Sequence, residues 1–125
     1  MKLIISTLMF VLACGSVSAH ELTPTYPEFR PSFMDGISVT SMELYNAREE
    51  VEFYRIDVYT ADWERIPFAT KESTIRVSHL QRHTFDVYIK DSDLNRVEYI
   101  CTVSRLLQDQ VQSQGVSSRV CSKVK

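Results

Sequence analysis

Val97-Glu98-Tyr99-Ile100-Cys101-Thr102-Val103 is the stretch that decides the fold. Val97, Tyr99, Cys101 and Val103 fall on one side, and Glu98, Ile100 and Thr102 on the other. That is the period of two that a β-strand imposes on its side chains. The β-branched and aromatic residues in it suit a pleated, half-buried surface. Upstream, Phe85, Val87 and Ile89 alternate with Asp86, Tyr88 and Lys90. Tyr54, Ile56 and Val58 alternate with Arg55 and Asp57, and Ile75 and Val77 flank Arg76. Ile37 and Val39 open a further run whose phase slips at Ser41 before Met42 and Leu44. A slip of that kind predicts a β-bulge. Val116, Val120 and Val124 fall on one face of a last, more polar strand.

Turn-forming residues separate these runs at Asn46-Ala47-Arg48, Ala61-Asp62, Asp91-Ser92-Asp93 and Gly115. Short alternating strands about ten residues apart, with no long helical period, describe an antiparallel β-sandwich or small barrel. One short helix competes for 104–114, where Leu106, Leu107 and Val111 have helical spacing between Ser104 as cap and Gly115 as stop. A long hairpin connection is the other reading of that stretch.

The chain has 125 residues, room for one domain, with 44% hydrophobic and 24% charged residues and a net charge of -2. This is globular composition, and it lacks the basic patch of a nucleic-acid binder. Three glycines leave no Gly-rich phosphate loop.

The start of the chain reads as an export signal. Met1-Lys2 is followed by the apolar Leu3–Ala13, shorter than the ~20 residues that span a bilayer. Val17 and Ala19 are small residues placed for signal-peptidase cleavage before His20. Residues 1–19 are then a signal peptide, 20–35 an extended N-terminal segment and 36–125 the β-domain. The alternative for the same segment is a lipobox, Val11-Leu12-Ala13-Cys14, which would lipidate Cys14 and tether the protein to a membrane. Either route places the domain outside the cytoplasm, in the periplasm or beyond.

Cys101 and Cys121 are the cysteines left after cleavage. In an oxidising compartment such a pair reads as a disulfide. Closing a loop of about 20 residues would stabilise the fold by roughly 3 kcal/mol. A thiolate metal site is the rival, without the CxxC spacing that favours one.

Tyr99-Ile100-Cys101 resembles the Tyr-x-Cys of immunoglobulin strand F. The strand-B cysteine of antibody domains has no counterpart around Val39–Leu44, so this resemblance implies that Cys101 pairs forward with Cys121. The run from Ile37 to Ile89 resembles the N-terminal immunoglobulin-like domain of periplasmic pilus chaperones. The matching pieces are Met42-Glu43-Leu44-Tyr45-Asn46, Phe53–Tyr59, Ile66-Pro67-Phe68 and Thr84–Ile89. The whole chain also resembles small exported proteins of marine bacteriophages. The chaperone resemblance implies an all-β, immunoglobulin-like sandwich of about seven strands that recognises a pilin-like or surface subunit by β-strand addition. It further implies that Arg30 and Lys123 anchor the partner's terminal carboxylate. The last strand would then offer Val116, Val120 and Val124 to the partner.

Other constellations carry less. His20, as a mature N-terminus, resembles the start of histidine-brace copper proteins, whose amine and imidazole chelate one ion; His79 and His83 are the available further ligands. The expectation is no cofactor, with copper as the alternative. Glu49-Glu50-Glu52 and Asp91-Asp93 fall in predicted turns rather than a cleft. Asp91-Ser92-Asp93 lacks the following Gly and distal Glu of a calcium loop. Trp63, Phe68, Tyr54 and Tyr59 are candidates for an aromatic platform, or for ordinary core and strand-face positions. No Ser stands in a nucleophile elbow. The expected function is a non-catalytic, exported protein-binding module. The alternatives are a structural surface or virion component and a copper-binding sandwich.

Overall fold

The computed structural model describes residues 20–105 and 118–125. Among these residues eight strands pack as two antiparallel sheets. They are β1 (Glu21–Thr23), β2 (Arg30–Pro31), β3 (Ile37–Tyr45), β4 (Phe53–Tyr59), β5 (Thr74–Arg76), β6 (Arg82–Lys90), β7 (Tyr99–Arg105) and β8 (Arg119–Lys123). β6 pairs along the whole of β3, from Ile37 opposite Lys90 to Tyr45 opposite Arg82. β1 and β2 therefore share the other side of β3, at Glu43–Tyr45 and at Ser38–Val39 respectively. The second sheet has the order β5-β4-β7-β8. The chain crosses between sheets at β3–β4, β5–β6 and β6–β7, the Greek-key connectivity of an immunoglobulin-like sandwich.

The core lies between the two inner faces. Met42, Leu44, Phe85, Val87 and Ile89 face Tyr54, Ile56, Val58, Ile75 and Ile100. Each such side chain removed from water contributes about 1.5–3 kcal/mol before entropy is counted. β6, β4 and β5 keep the alternation that the sequence predicts.

Two predicted patterns are corrected. β3 has no bulge at Ser41, because the register with β6 runs unbroken. Its inner face is Ser38, Thr40, Met42 and Leu44, and Val39 lies on the outer face. The two hydroxyl residues inside make the hydrophobic pattern alone look shifted. The buried Ser38 is satisfied by donating to Asp91 Oδ1 at 2.6 Å. In β7, Tyr99, Cys101 and Val103 do share a side, but it is the outer one. Ile56 and Val58 pair with Thr102 and Ile100, so Ile100, Thr102 and Ser104 line the interior.

Residues 20–35 contribute β1 and β2, so the sandwich begins at Glu21 rather than Gly36. Ser104 and Arg105 continue β7 instead of opening a helix. The rest of the predicted 104–114 helix lies outside the described residues, as do Cys14 and the signal segment. Asp91-Ser92-Asp93 starts a 3-10 helix, Asp91–Arg96, where Arg96 closes on Asp93 at 2.7 Å.

Candidate functional site: a polar sandwich end and two open strand edges

One end of the interior is polar. Asn46, fully buried after β3, uses both amide protons, to the carbonyls of Val51 at 2.7 Å and Val77 at 2.8 Å. Its Oδ1 accepts from the Arg48 N–H at 2.9 Å and the Tyr54 hydroxyl at 2.6 Å. Its backbone bonds to Leu80 and Gln81. A side chain with no spare hydrogen-bonding capacity thus fastens the β3–β4 connection to the segment before β6. Burial raises the Tyr54 hydroxyl to about 12, against the nearby Arg48 guanidinium, which lowers it.

His20 inserts beside this centre, 2% exposed, with its ring 4.6 Å from that of Tyr54. Nε2 lies 2.7 Å from Thr102 Oγ1 and 3.2 Å from the Thr102 carbonyl, and Nδ1 lies 3.3 Å from Ser118 Oγ. A neutral imidazole, with one donor and one acceptor nitrogen, meets both partners. Burial pushes His20 down to about 4; the Thr102 carbonyl opposes this and the positive Arg48 adds to it. Arg48 reaches Ser118 at 3.2 Å and Ser104 at 3.5 Å, and pairs with Glu50 at 2.6 Å. Sequence reading named His20 for a different role and passed over Arg48 and Thr102. The available signal was the polar Thr102 and Ser104 on the inner side of β7.

The three histidines expected as alternative copper ligands do not gather. His79 lies in a turn 3.9 Å from Glu49, and His83 stands on β6 opposite Leu44. Among the described residues no group of three or more His, Cys, Asp or Glu side chains is placed to hold a metal ion.

On the outer face of the second sheet, Cys101 and Cys121 stand directly opposite each other, with Cα atoms 4.1 Å apart, and form a disulfide. The thiolate-site rival is removed. The bridge ties β8, a sheet-edge strand, to β7. Beside it Trp63 stacks flat on Tyr99 at 4.4 Å, and the Arg119 guanidinium lies 4.5 Å from the Trp63 ring centroid. Trp63 thus packs against both β7 and β8 and still leaves 45% of its surface exposed. Of the other candidates, Tyr59 joins this cluster, Phe68 packs on the core and Tyr54 is inside it.

β8 faces differently from expectation. Thr102 pairs with Val120 and Ile100 with Ser122, which turns Val120, Ser122 and Val124 inward. Val120 and Val124 are partly buried and pack against the domain's own core. Val116 lies outside the described residues. What β8 presents is its backbone edge. The Lys123 N–H donates to the Thr25 carbonyl at 3.1 Å and the Lys125 N–H to the Pro27 carbonyl at 3.1 Å. The N-terminal segment therefore covers the last part of that edge, beyond Cys121. Lys123 Nζ pairs with Glu98 at 3.4 Å. Arg30 is exposed on β2, in the other sheet.

The second open edge belongs to β6. Its side away from β3 is bridged at Tyr88, whose N–H and C=O both bond to Ala69 at 2.9 Å. Beyond that bridge a groove of about 340 Å³ runs beside Thr84 and Asp86, walled by Thr70, Lys71 and Glu72.

Among the described residues, two four-stranded sheets, an N-terminal segment that pairs with β3 and then meets the end of β8, and a disulfide on the outer face make an immunoglobulin-like sandwich. The chain is similar in fold to the periplasmic chaperone SfaE, with TM-score 0.53 and 10% identity over 86% of this chain and 56% of that one. It thus spans little more than half the chaperone's length. It is also similar to the ASH/PapD-like domain 7 of human CEP192, with TM-score 0.54 and 7% identity over 84% of this chain and 81% of that one. No family model matches the sequence, and none of the curated proteins matches it.

Proposed function

We propose that this protein is a non-catalytic, exported protein-binding module that recognises a partner chain by pairing with the backbone edge of β8. The observation that carries the reading is the position of β8 as the last strand of its sheet. It is tied to β7 by the disulfide and covered on its outer face by Trp63 through Arg119, and among the described residues its outer edge is met by the N-terminal segment at Lys123 and Lys125. Such an edge is a template for an added strand. The export-signal pattern of residues 1–19 and the disulfide support a site outside the cytoplasm. The fold it shares with a periplasmic chaperone supports another protein chain as the partner, and a pilin-like or surface subunit is the one proposed. Arg30, exposed on β2, is the candidate anchor for that partner's carboxylate, while Lys123 is paired with Glu98.

The β7–β8 register turns the Arg119 N–H outward, as it does that of Lys123. Arg119→Pro removes that donor without touching the β7–β8 ladder. Capture of a partner from periplasmic extract by immobilised protein should be lost in Arg119→Pro and weakened in Arg30→Ala. Val120→Asp is unsuitable, because it would place a charge on the core. The covering of β8 by Thr25 and Pro27 favours a second reading, a structural surface or virion component whose edges are capped. Absence of any captured chain, or capture indifferent to both changes, decides for that reading.

A further inference from the structure

The phase of β6 fixes which of its backbone groups face outward. Tyr88 bonds away from β3, to Ala69, and the β3–β6 register is continuous. In an antiparallel ladder bonded and non-bonded pairs alternate, so Asp86, Thr84 and Arg82 also direct their N–H and C=O groups away from β3. These three residues are exposed, and the groove of about 340 Å³ lies alongside Thr84 and Asp86. On the groove wall, Thr70 Oγ1 is buried without a hydrogen-bond partner among the described residues.

From this edge we infer that the protein self-associates, the β6 strands of two copies pairing antiparallel about a two-fold axis at Thr84. The occupant follows from charge. With Thr84 opposite Thr84, Arg82 of each copy falls opposite Asp86 of the other, so one register makes two symmetry-related ion pairs. Both side chains lie on the outer face of the sheet. Arg82 donates from one nitrogen to Glu43 at 2.9 Å with its guanidinium lying 4.6 Å over the Tyr45 ring, and Asp86 accepts through Oδ1 from Ser41 at 2.6 Å. Those contacts orient the two side chains and leave the remaining guanidinium N–H groups and Asp86 Oδ2 for the facing copy. A register shifted by two residues would forfeit both ion pairs. The same alignment makes Arg82, Thr84 and Asp86 bonded positions on both strands, which completes their backbone hydrogen bonds. Ala69, seated on Tyr88, ends the ladder at that side and limits it to Arg82–Asp86. The association is accordingly short and concentration-dependent. It is separate from the proposed partner edge on β8, since it uses the other sheet.

Sedimentation equilibrium of the purified protein, with no partner present, tests it. The weight-average mass should climb from one chain towards two between about 10 µM and about 1 mM. Arg82→Asp alone and Asp86→Arg alone each set like charges opposite one another in a homodimer, and each should remain at the mass of one chain. An equimolar mixture of the two variants restores both ion pairs across a heterodimer and should regain the mass shift. Thr84→Pro, which removes the central outward N–H, should abolish it. A parent protein that stays at single-chain mass at about 1 mM overturns the proposal. So does a mixture no heavier than its components, or a Thr84→Pro variant that associates like the parent.

Discussion

The Tyr54 hydroxyl donates to Asn46 Oδ1 at 2.6 Å across the polar end of the sandwich, joining an inner-face residue of β4 to the residue that follows β3. Asn46 is 0% exposed and fully hydrogen-bonded, so everything attached to it is fastened by a group that water cannot replace. Asn46→Ala leaves the Val51 and Val77 carbonyls unpaired in the interior. We expect a loss of about 3 kcal/mol in denaturant unfolding, the sum of unmet buried groups and a small cavity. Tyr54→Phe removes one donor, leaves the Arg48 N–H on Oδ1, and should cost about 1–2 kcal/mol. Equal, negligible losses in both would show that the centre is ornamental.

Stability should fall as acid is added across one particular window. His20 is neutral when folded, with its pKa near 4, and takes up a proton on unfolding below its ordinary 6.5. The unfolded state binds the extra proton, so the contribution is fully present above 6.5, declines between 6.5 and about 4, and is gone below. The whole step amounts to about 3 kcal/mol. His20→Gln should flatten the stability profile over that window. A profile of unchanged slope in the variant would locate the acid sensitivity elsewhere.

Copper should bind poorly to material beginning at His20. Chelation by the terminal amine and imidazole requires a ring nitrogen that Thr102 or Ser118 now engages inside the domain. Calorimetry with copper on that material, and on material with one extra N-terminal residue, should give weak and indistinguishable heats. Tight binding abolished by the extra residue would restore the copper reading.

Reduction should loosen β8 first. The Cys101–Cys121 bridge lies on the outer face, so Cys101→Ala with Cys121→Ala leaves the inner-face packing of Ile100 and Val120 in place without burying a new polar group. The expected loss is roughly 3 kcal/mol from the freed loop. Amide exchange should rise at Val120 and Ser122 before it rises in β3 or β6. Uniform exchange throughout would mean that β8 is held by its packing alone.

The alternation of Phe85, Val87 and Ile89, and of Tyr54, Ile56 and Val58, was legible because a half-buried strand must segregate its side chains by face. The Cys101–Cys121 pairing was equally legible, because the remaining cysteines in an oxidising setting have each other. What escaped were positions where a polar side chain sits inside. Ser38 and Thr40 disguised the phase of β3, and Thr102 and Ser104 disguised which side of β7 is the core. Hydrophobicity cannot mark positions such as Ser38 and Thr102, because hydrogen bonds to Asp91 and His20 replace the water they lose.

Composition and periodicity by themselves determined an all-β domain and the Cys101–Cys121 bridge, since those depend on local spacing and on the chemistry of the thiols. Only the tertiary structure decided that Val120 and Val124 pack against the domain's own core, that His20 is a buried keystone, and that among the described residues β6 keeps an open edge at Arg82–Asp86. Each of those follows from which strand lies beside which. Strand neighbours are set by closing long loops around a shared interior, a balance of the whole chain that no single segment records.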